Sequence, residues 1–154
     1  MNETLITLSG STASGKTSIA IRIAKVLGTE VFSCDSRQFY EEMSIGTAVP
    51  TAAERKEVPH HFIQHKSIHT PYSVGQFESD AIESLSDYFK QNDIAILVGG
   101  SGLYMHAVVH GIDQFPAVSE EIRSSLGKRL KTYGLEDLQK ELQTLDSKKK
   151  KKMD

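Results

Sequence analysis

The chain of 154 residues contains a single cysteine, Cys34. One thiol cannot form an intrachain disulfide, so no disulfide framework is expected and a reducing, cytoplasmic location is the default. No apolar run approaches the ~20 residues of a membrane-spanning helix, and the N-terminus lacks a basic-then-apolar leader, so no membrane partner is expected. No internal repeat is present. A basic excess is missing as well: 18 Lys and Arg face 20 Asp and Glu, for a formal charge of −2. Five of those bases are Lys148 to Lys152, and without residues 148–154 the balance is 13 basic against 19 acidic. Such a body is not a general nucleic-acid binder, whose footprint is a basic face, and any RNA contact must use a local cluster.

What is present is a loop. Gly10 to Thr17 reads Gly-Ser-Thr-Ala-Ser-Gly-Lys-Thr and fits G-x-x-x-x-G-K-[ST], the phosphate-cradling pattern. Before it, Thr4 to Ser9 is a β-branched, apolar run that predicts a buried strand. After it, Ser18 to Leu27 predicts a helix, with Gly28 as its C-terminal glycine. Backbone N–H groups of Gly10, Ser11, Thr12, Ala13, Ser14 and Gly15 would face phosphate oxygens, and Lys16 would add an ammonium. The Thr17 hydroxyl suits Mg²⁺, a hard cation that takes oxygen.

Glu30 to Cys34 predicts a second strand, ending at Asp35-Ser36-Arg37-Gln38. Ligands gather at the carboxyl ends of parallel strands, so Asp35 is a candidate acid–base or metal-linked residue; an N-cap is the equal alternative. Cys34 reads as a small buried filler rather than a reactive thiol. Phe39 to Pro50 predicts a short helix and then a loop. Thr51 to Val58 predicts a helix capped by Thr51 with Glu54 three residues on. His60, His61, His65 and His69 cluster in sequence, but without metal-ligand spacing they read as pocket-lining or surface residues, and His106 and His110 read as core or surface histidines. An amphipathic helix is expected from Val74 to about Gln91, with Phe77, Ala81, Leu85 and Phe89 toward the core. Ile94 to Val98 predicts a strand buried on both faces of a parallel sheet. It ends at Gly99-Gly100-Ser101-Gly102, either a close approach to a ligand or a tight turn into a helix over 103–111. The strand end has no aspartate of the kind that helps nucleotide hydrolases hold Mg²⁺. Pro116 marks a break. Helices are expected over 118–133 and 135–145, parted by Gly134, with Ser119 as an N-cap. Residues 1–115 thus read as an α/β core, 116–146 as a helical segment and 147–154 as a disordered Lys-rich tail.

Five further motifs accompany the loop in order: Asp-Ser-Arg-Gln at 35–38, Ile-Gly-Thr-Ala at 45–48, Pro-His-His at 59–61, Val-Gly-Gly-Ser-Gly-Leu-Tyr at 98–104 and Gly-Leu-Glu-Asp-Leu at 134–138. With these the chain resembles the bacterial tRNA dimethylallyltransferases, or tRNA isopentenyltransferases, over about residues 4–146. The resemblance implies a P-loop NTPase-like parallel sheet flanked by helices, with the start of a helical insertion domain that grips tRNA. It implies transfer of dimethylallyl from its diphosphate to N6 of the adenine 3′ of the anticodon, in tRNAs reading codons that begin with U. The loop, Lys16 and Mg²⁺ at Thr17 would hold the diphosphate. Asp35 would take the N6 proton, carboxylates being ionised at neutral pH. Asp35, Ser36, Arg37, Gln38, Ser101 and Arg123 match positions that hold tRNA in the family, whose full-length members are expected to be monomers.

The chain departs from the family pattern at Ser11 (usually proline), Ser101 (usually threonine) and Val49 (commonly lysine). Family members are much longer, and a later core strand and a phosphate-contacting arginine have no counterpart here. A truncated, marginally stable chain with impaired activity is therefore expected. Two other functions fit the loop alone: a small-metabolite kinase with Asp35 as base, or a non-catalytic nucleotide-binding module.

Overall fold

The computed structural model describes residues 3–11, 13–113 and 118–146. Thr12, the Pro116 break and the Lys-rich tail lie outside the described residues. The chain divides into two compact units, Met1–Ile112 and Asp113–Asp154.

The first unit holds a four-stranded sheet built from β1 (Thr4–Ser9), β2 (Val31–Ser33), β3 (His60–His61) and β4 (Ile94–Gly99). The strand order is β1-β4-β2-β3 and every pairing is parallel. Parallel neighbours need crossover connections, and helices supply them. These are α1 (Lys16–Leu27), α2 (Ala52–Glu57) and α3 (Val74–Phe89), and α4 (Gly102–His110) follows the last strand.

The alternation of β4 explains the layers. Ala95 and Leu97 join one buried cluster with Phe32, Phe39, Phe77, Ala81, Leu85 and Val108 of α3, α4 and the neighbouring chain. Ile96 and Val98 join a second cluster with Ala20, Ile21 and Ala24 of α1. A central strand covered on both faces has to be apolar throughout, and it is. Phe77, Ala81 and Leu85 are buried as their spacing of four requires, whereas Ile82 beside them is 46 % exposed.

Helix starts follow the local chemistry. Thr51 accepts the Glu54 N–H while Glu54 accepts the Thr51 N–H, a full capping box, and Ser73 and Gln76 make a second one at α3. At the other end of α1, Gly28 takes a left-handed conformation, with φ of 64°.

One predicted element is absent. Phe39 to Pro50 forms turns, with no helix. Its carbonyls are taken by another segment: Gln38 O accepts from Gln64 N–H, and Phe39 O accepts from His65 and Lys66. Tyr40 bridges Lys66 in parallel fashion. These bonds hold the start of the segment against residues 64–66 and out of helical geometry, and Phe39 is fully buried. A separate pairing, Val31 with His60 and Phe32 with His61, makes β3, a two-residue strand that no sequence pattern announced.

In the second unit, α5 (Glu120–Tyr133) and α6 (Leu135–Leu145) form the expected helix pair. Ser119 accepts the Ile122 N–H as N-cap, and Arg129 pairs with Asp137 and Glu141 across the two helices.

Candidate functional site

The loop after β1 is built for backbone donation. Ala13 and Gly15 both take left-handed conformations, with φ of 63° and 80°, and Ser14 N–H closes onto Ser11 O at 3.3 Å. Gly15 occupies the N-cap of α1 and no side chain caps the helix. The first N–H groups of α1 are therefore left for an external acceptor. Lys16 folds back over the loop and donates Nζ–H to Ser11 O at 2.5 Å.

Asp35 begins the turn that leaves β2. Its Oδ1 accepts the Arg37 N–H at 3.1 Å, its own N–H donates to Ser33 Oγ at 3.3 Å, and its carbonyl accepts the Gln38 N–H at 2.9 Å. One oxygen of Asp35 thus starts a turn, with no helix after it to cap, and the residue still lines the cavity beside the loop.

Glycines at the end of β4 bring the parts together. A Cβ on Gly99 would stand 2.6 Å from Cys34 Sγ and 2.8 Å from the Cys34 carbonyl carbon. One on Gly100 would stand 3.5 Å from Gly10 O and 3.6 Å from Asp35 Oδ2. The close approach at Gly99 is to the Cys34–Asp35 backbone, which no larger residue would allow. Ser101 accepts the Ser36 N–H at 3.1 Å, and the two hydroxyls lie 3.1 Å apart.

The resulting cavity has a volume of about 300 Å³. Ala13 to Ser18 form one side of it, and Asp35, Ser33 and Gln38 form the floor of the β2 turn. Ala48, Pro50, Ile63 and Val98 give it an apolar wall. His60 also lines it; its Nδ1–H donates to Val58 O at 2.8 Å, and burial holds its pKa below the usual histidine value.

The remaining histidines are otherwise occupied. His61 stacks on Phe32 with ring centroids 4.2 Å apart and bonds Glu30 at 2.6 Å. His65 sits edge-on to Phe39, Phe62 and Tyr72, and His69 is exposed. His106 and His110 face each other on α4 at 4.7 Å. Among the described residues no three His, Cys, Asp or Glu converge on a possible metal position. Cys34 is fully buried, and burial first, then Asp35, push its thiol up to about 12.

Of the residues read from sequence, Ala13 to Thr17, Asp35 and Gln38 line one cavity, and Gly10 and Ser11 lead into it. Ser36 and Ser101 are joined to each other, Arg37 is exposed, and Arg123 is exposed on α5 in the second unit. Sequence reading did not single out Ser33, Ala48, Pro50 or Ile63 as lining residues. Ala48 ends the Ile-Gly-Thr-Ala motif and Pro50 follows it, which was the available signal, whereas Ser33 and Ile63 carried none.

Comparison with known proteins bears on the family and the fold. A family model described as IPP transferase matches residues 38–154. The tRNA dimethylallyltransferase of Christiangramia forsetii is 51 % identical over 146 residues, covering 95 % of this chain and 48 % of that protein. The full-length tRNA isopentenylpyrophosphate transferase of Bacillus halodurans superposes with a TM-score of 0.70 at 37 % identity, covering 97 % of this chain and 50 % of its own. A eukaryotic dimethylallyltransferase acting on tRNA, 22 % identical, shares the fold with a TM-score of 0.81 over 99 % of this chain and 38 % of its own. The chain therefore spans about half the length of the curated relatives it matches. With the loop, the Asp35 turn and the glycine strand end found together, and the family model reaching across most of the sequence, the chain belongs to the IPP transferase family.

Proposed function

We propose that this chain forms the donor side of a tRNA dimethylallyltransferase site. The observation that carries the reading is the composition of one cavity: a phosphate loop with Lys16, a carboxylate at Asp35 and an apolar wall of Ala48, Pro50 and Ile63. A diphosphate carrying a short hydrocarbon chain needs each of these surfaces. The loop N–H groups and Lys16 bind the diphosphate and stabilise the charge it gains as it leaves.

In the reaction, the lone pair of adenine N6 attacks C1 of the dimethylallyl group. The C–O bond breaks with its electrons on the diphosphate, and the N6 proton passes to the Asp35 carboxylate. To reach the cavity the adenine leaves its stack, and tRNAs reading codons that begin with U supply it 3′ of the anticodon. Ser36, Arg37, Ser101 and Arg123 are the proposed tRNA contacts. Mg²⁺ fits the donors present. Thr17 would offer one hydroxyl and the diphosphate would offer its oxygens, and this ion keeps several waters rather than demanding an all-protein cage. When bound, it neutralises diphosphate charge. No helix among the described residues is long and apolar enough to cross a membrane, and tRNA as substrate accords with a cytoplasmic site.

The test supplies the chain with Mg²⁺, unmodified tRNA and dimethylallyl diphosphate and reads adenine by mass spectrometry. Prenylated adenine, dependent on Asp35, is the expected result. Transfer of phosphate from ATP to a small hydroxylated metabolite would replace this reading with a kinase.

A further inference from the structure

We propose that Gln38 is a positioning residue that ties the Asp35 turn to the loop carrying Ala48 and Pro50, and not a nucleotide contact. The effect on the donor rests on the function proposed above; the tie itself does not.

Gln38 is 8 % exposed and its polar groups are used within the protein. Its N–H donates to Asp35 O at 2.9 Å and its carbonyl accepts from Gln64 N–H at 2.8 Å. Its Oε1 accepts from Ser33 Oγ–H at 3.0 Å. Its two amide protons go to Thr47 O at 3.2 Å and Ala48 O at 2.8 Å. Ser33 Oγ in turn accepts the Asp35 N–H. The side chain thus joins the end of β2 to the 43–48 loop, the backbone carbonyl of the same residue holds the chain at Gln64, and no amide proton is left for a nucleotide.

The loop needs such a tie. It contains neither helix nor strand, Gly46 has φ of 76°, and Ala48 sits at φ of 50°, which alanine rarely adopts. Ala48 and Pro50 are cavity walls, so the tie sets the shape of the apolar end. Only an amide fits: one acceptor toward a hydroxyl, two donors toward two carbonyls. Glutamate, of the same size, would turn a carboxylate oxygen onto the Thr47 and Ala48 carbonyls.

The experiment compares the full chain with its Gln38→Glu variant. Hydrogen exchange at the Ala48 and Val49 amides, without ligand, is expected to speed up about tenfold, with β4 amides unchanged. In the presence of Mg²⁺, affinity for dimethylallyl diphosphate is expected to fall about tenfold while affinity for inorganic diphosphate stays within about twofold. Unchanged exchange with lower affinity only for an anticodon stem-loop RNA would make Gln38 a nucleotide contact and overturn the proposal. Faster exchange throughout β4 with loss of both diphosphates would overturn it too, as a general loss of fold. If the unmodified chain does not prefer dimethylallyl diphosphate to inorganic diphosphate, the proposed function fails. The exchange result then decides the tie by itself.

Discussion

Asp35 closes its own turn through Oδ1 and still lines the cavity, so one carboxylate can serve the turn and the proposed chemistry together. Asp35→Asn keeps an acceptor for the Arg37 N–H and removes the proposed base. Prenyl transfer in a single-turnover assay is expected to drop by ~10²–10⁴, with diphosphate affinity changed little by comparison. An equal loss of both would mean that Asp35 serves binding instead. A second residue-scale expectation concerns His60 and His65. Burial holds both below the ordinary histidine pKa, so the folded chain binds their protons less readily than the unfolded chain. Their contribution is present above the unfolded value of 6.5 and is lost as pH falls through the depressed folded values. The melting temperature should decline as pH is lowered below about 6.5, and His65→Phe should flatten part of that decline. The identity of these residues was legible in the sequence; their protonation behaviour was not, because neighbours distant in the chain create it. His65 owes its apolar surroundings to Phe39, Phe62 and Tyr72.

At the scale of elements, the glycine end of β4 is the tightest joint. Gly99→Ala would press a methyl group against the Cys34 backbone and sulfur, and neither is the free end of a flexible side chain. Overpacking of this kind costs ~1–3 kcal/mol, and relief requires Asp35 to move. Thermal melting is expected to show the loss, and diphosphate binding to weaken with it. Phe77→Ala, at the centre of the aromatic cluster with Phe39 and Tyr104, should cost ~3–5 kcal/mol by denaturant titration without altering the loop itself. The strong elements were readable: β1, α1, α3 and β4 carry period, caps or unbroken apolar runs. The segment from Phe39 to Pro50 was not, because its composition permits a helix and only the pairing with residues 64–66 forbids one.

At the scale of the molecule, the two units differ in what they bury. The described residues of the first unit hold both apolar clusters, whereas α5 and α6 contain no buried residue. Ile122, Leu126, Leu130 and Tyr133 are 42–69 % exposed along α5. Amides of α5 and α6 are therefore expected to exchange at least ~100-fold faster than those of β4, whose protection reports global unfolding. Comparable protection in both would show that the helix pair is stabilised as strongly as the sheet. By itself the sequence determined the α/β class, the phosphate loop, the capped helices and the family, since each depends on residues close together in the chain or on an ordered set of motifs. Tertiary structure alone decided that the far wall of the cavity shared by Asp35 and Lys16 is apolar, and that Gln38 faces inward. Those facts arise where β2, β4 and the 43–48 loop converge, and convergence of segments far apart in the chain leaves no periodic trace in any one of them.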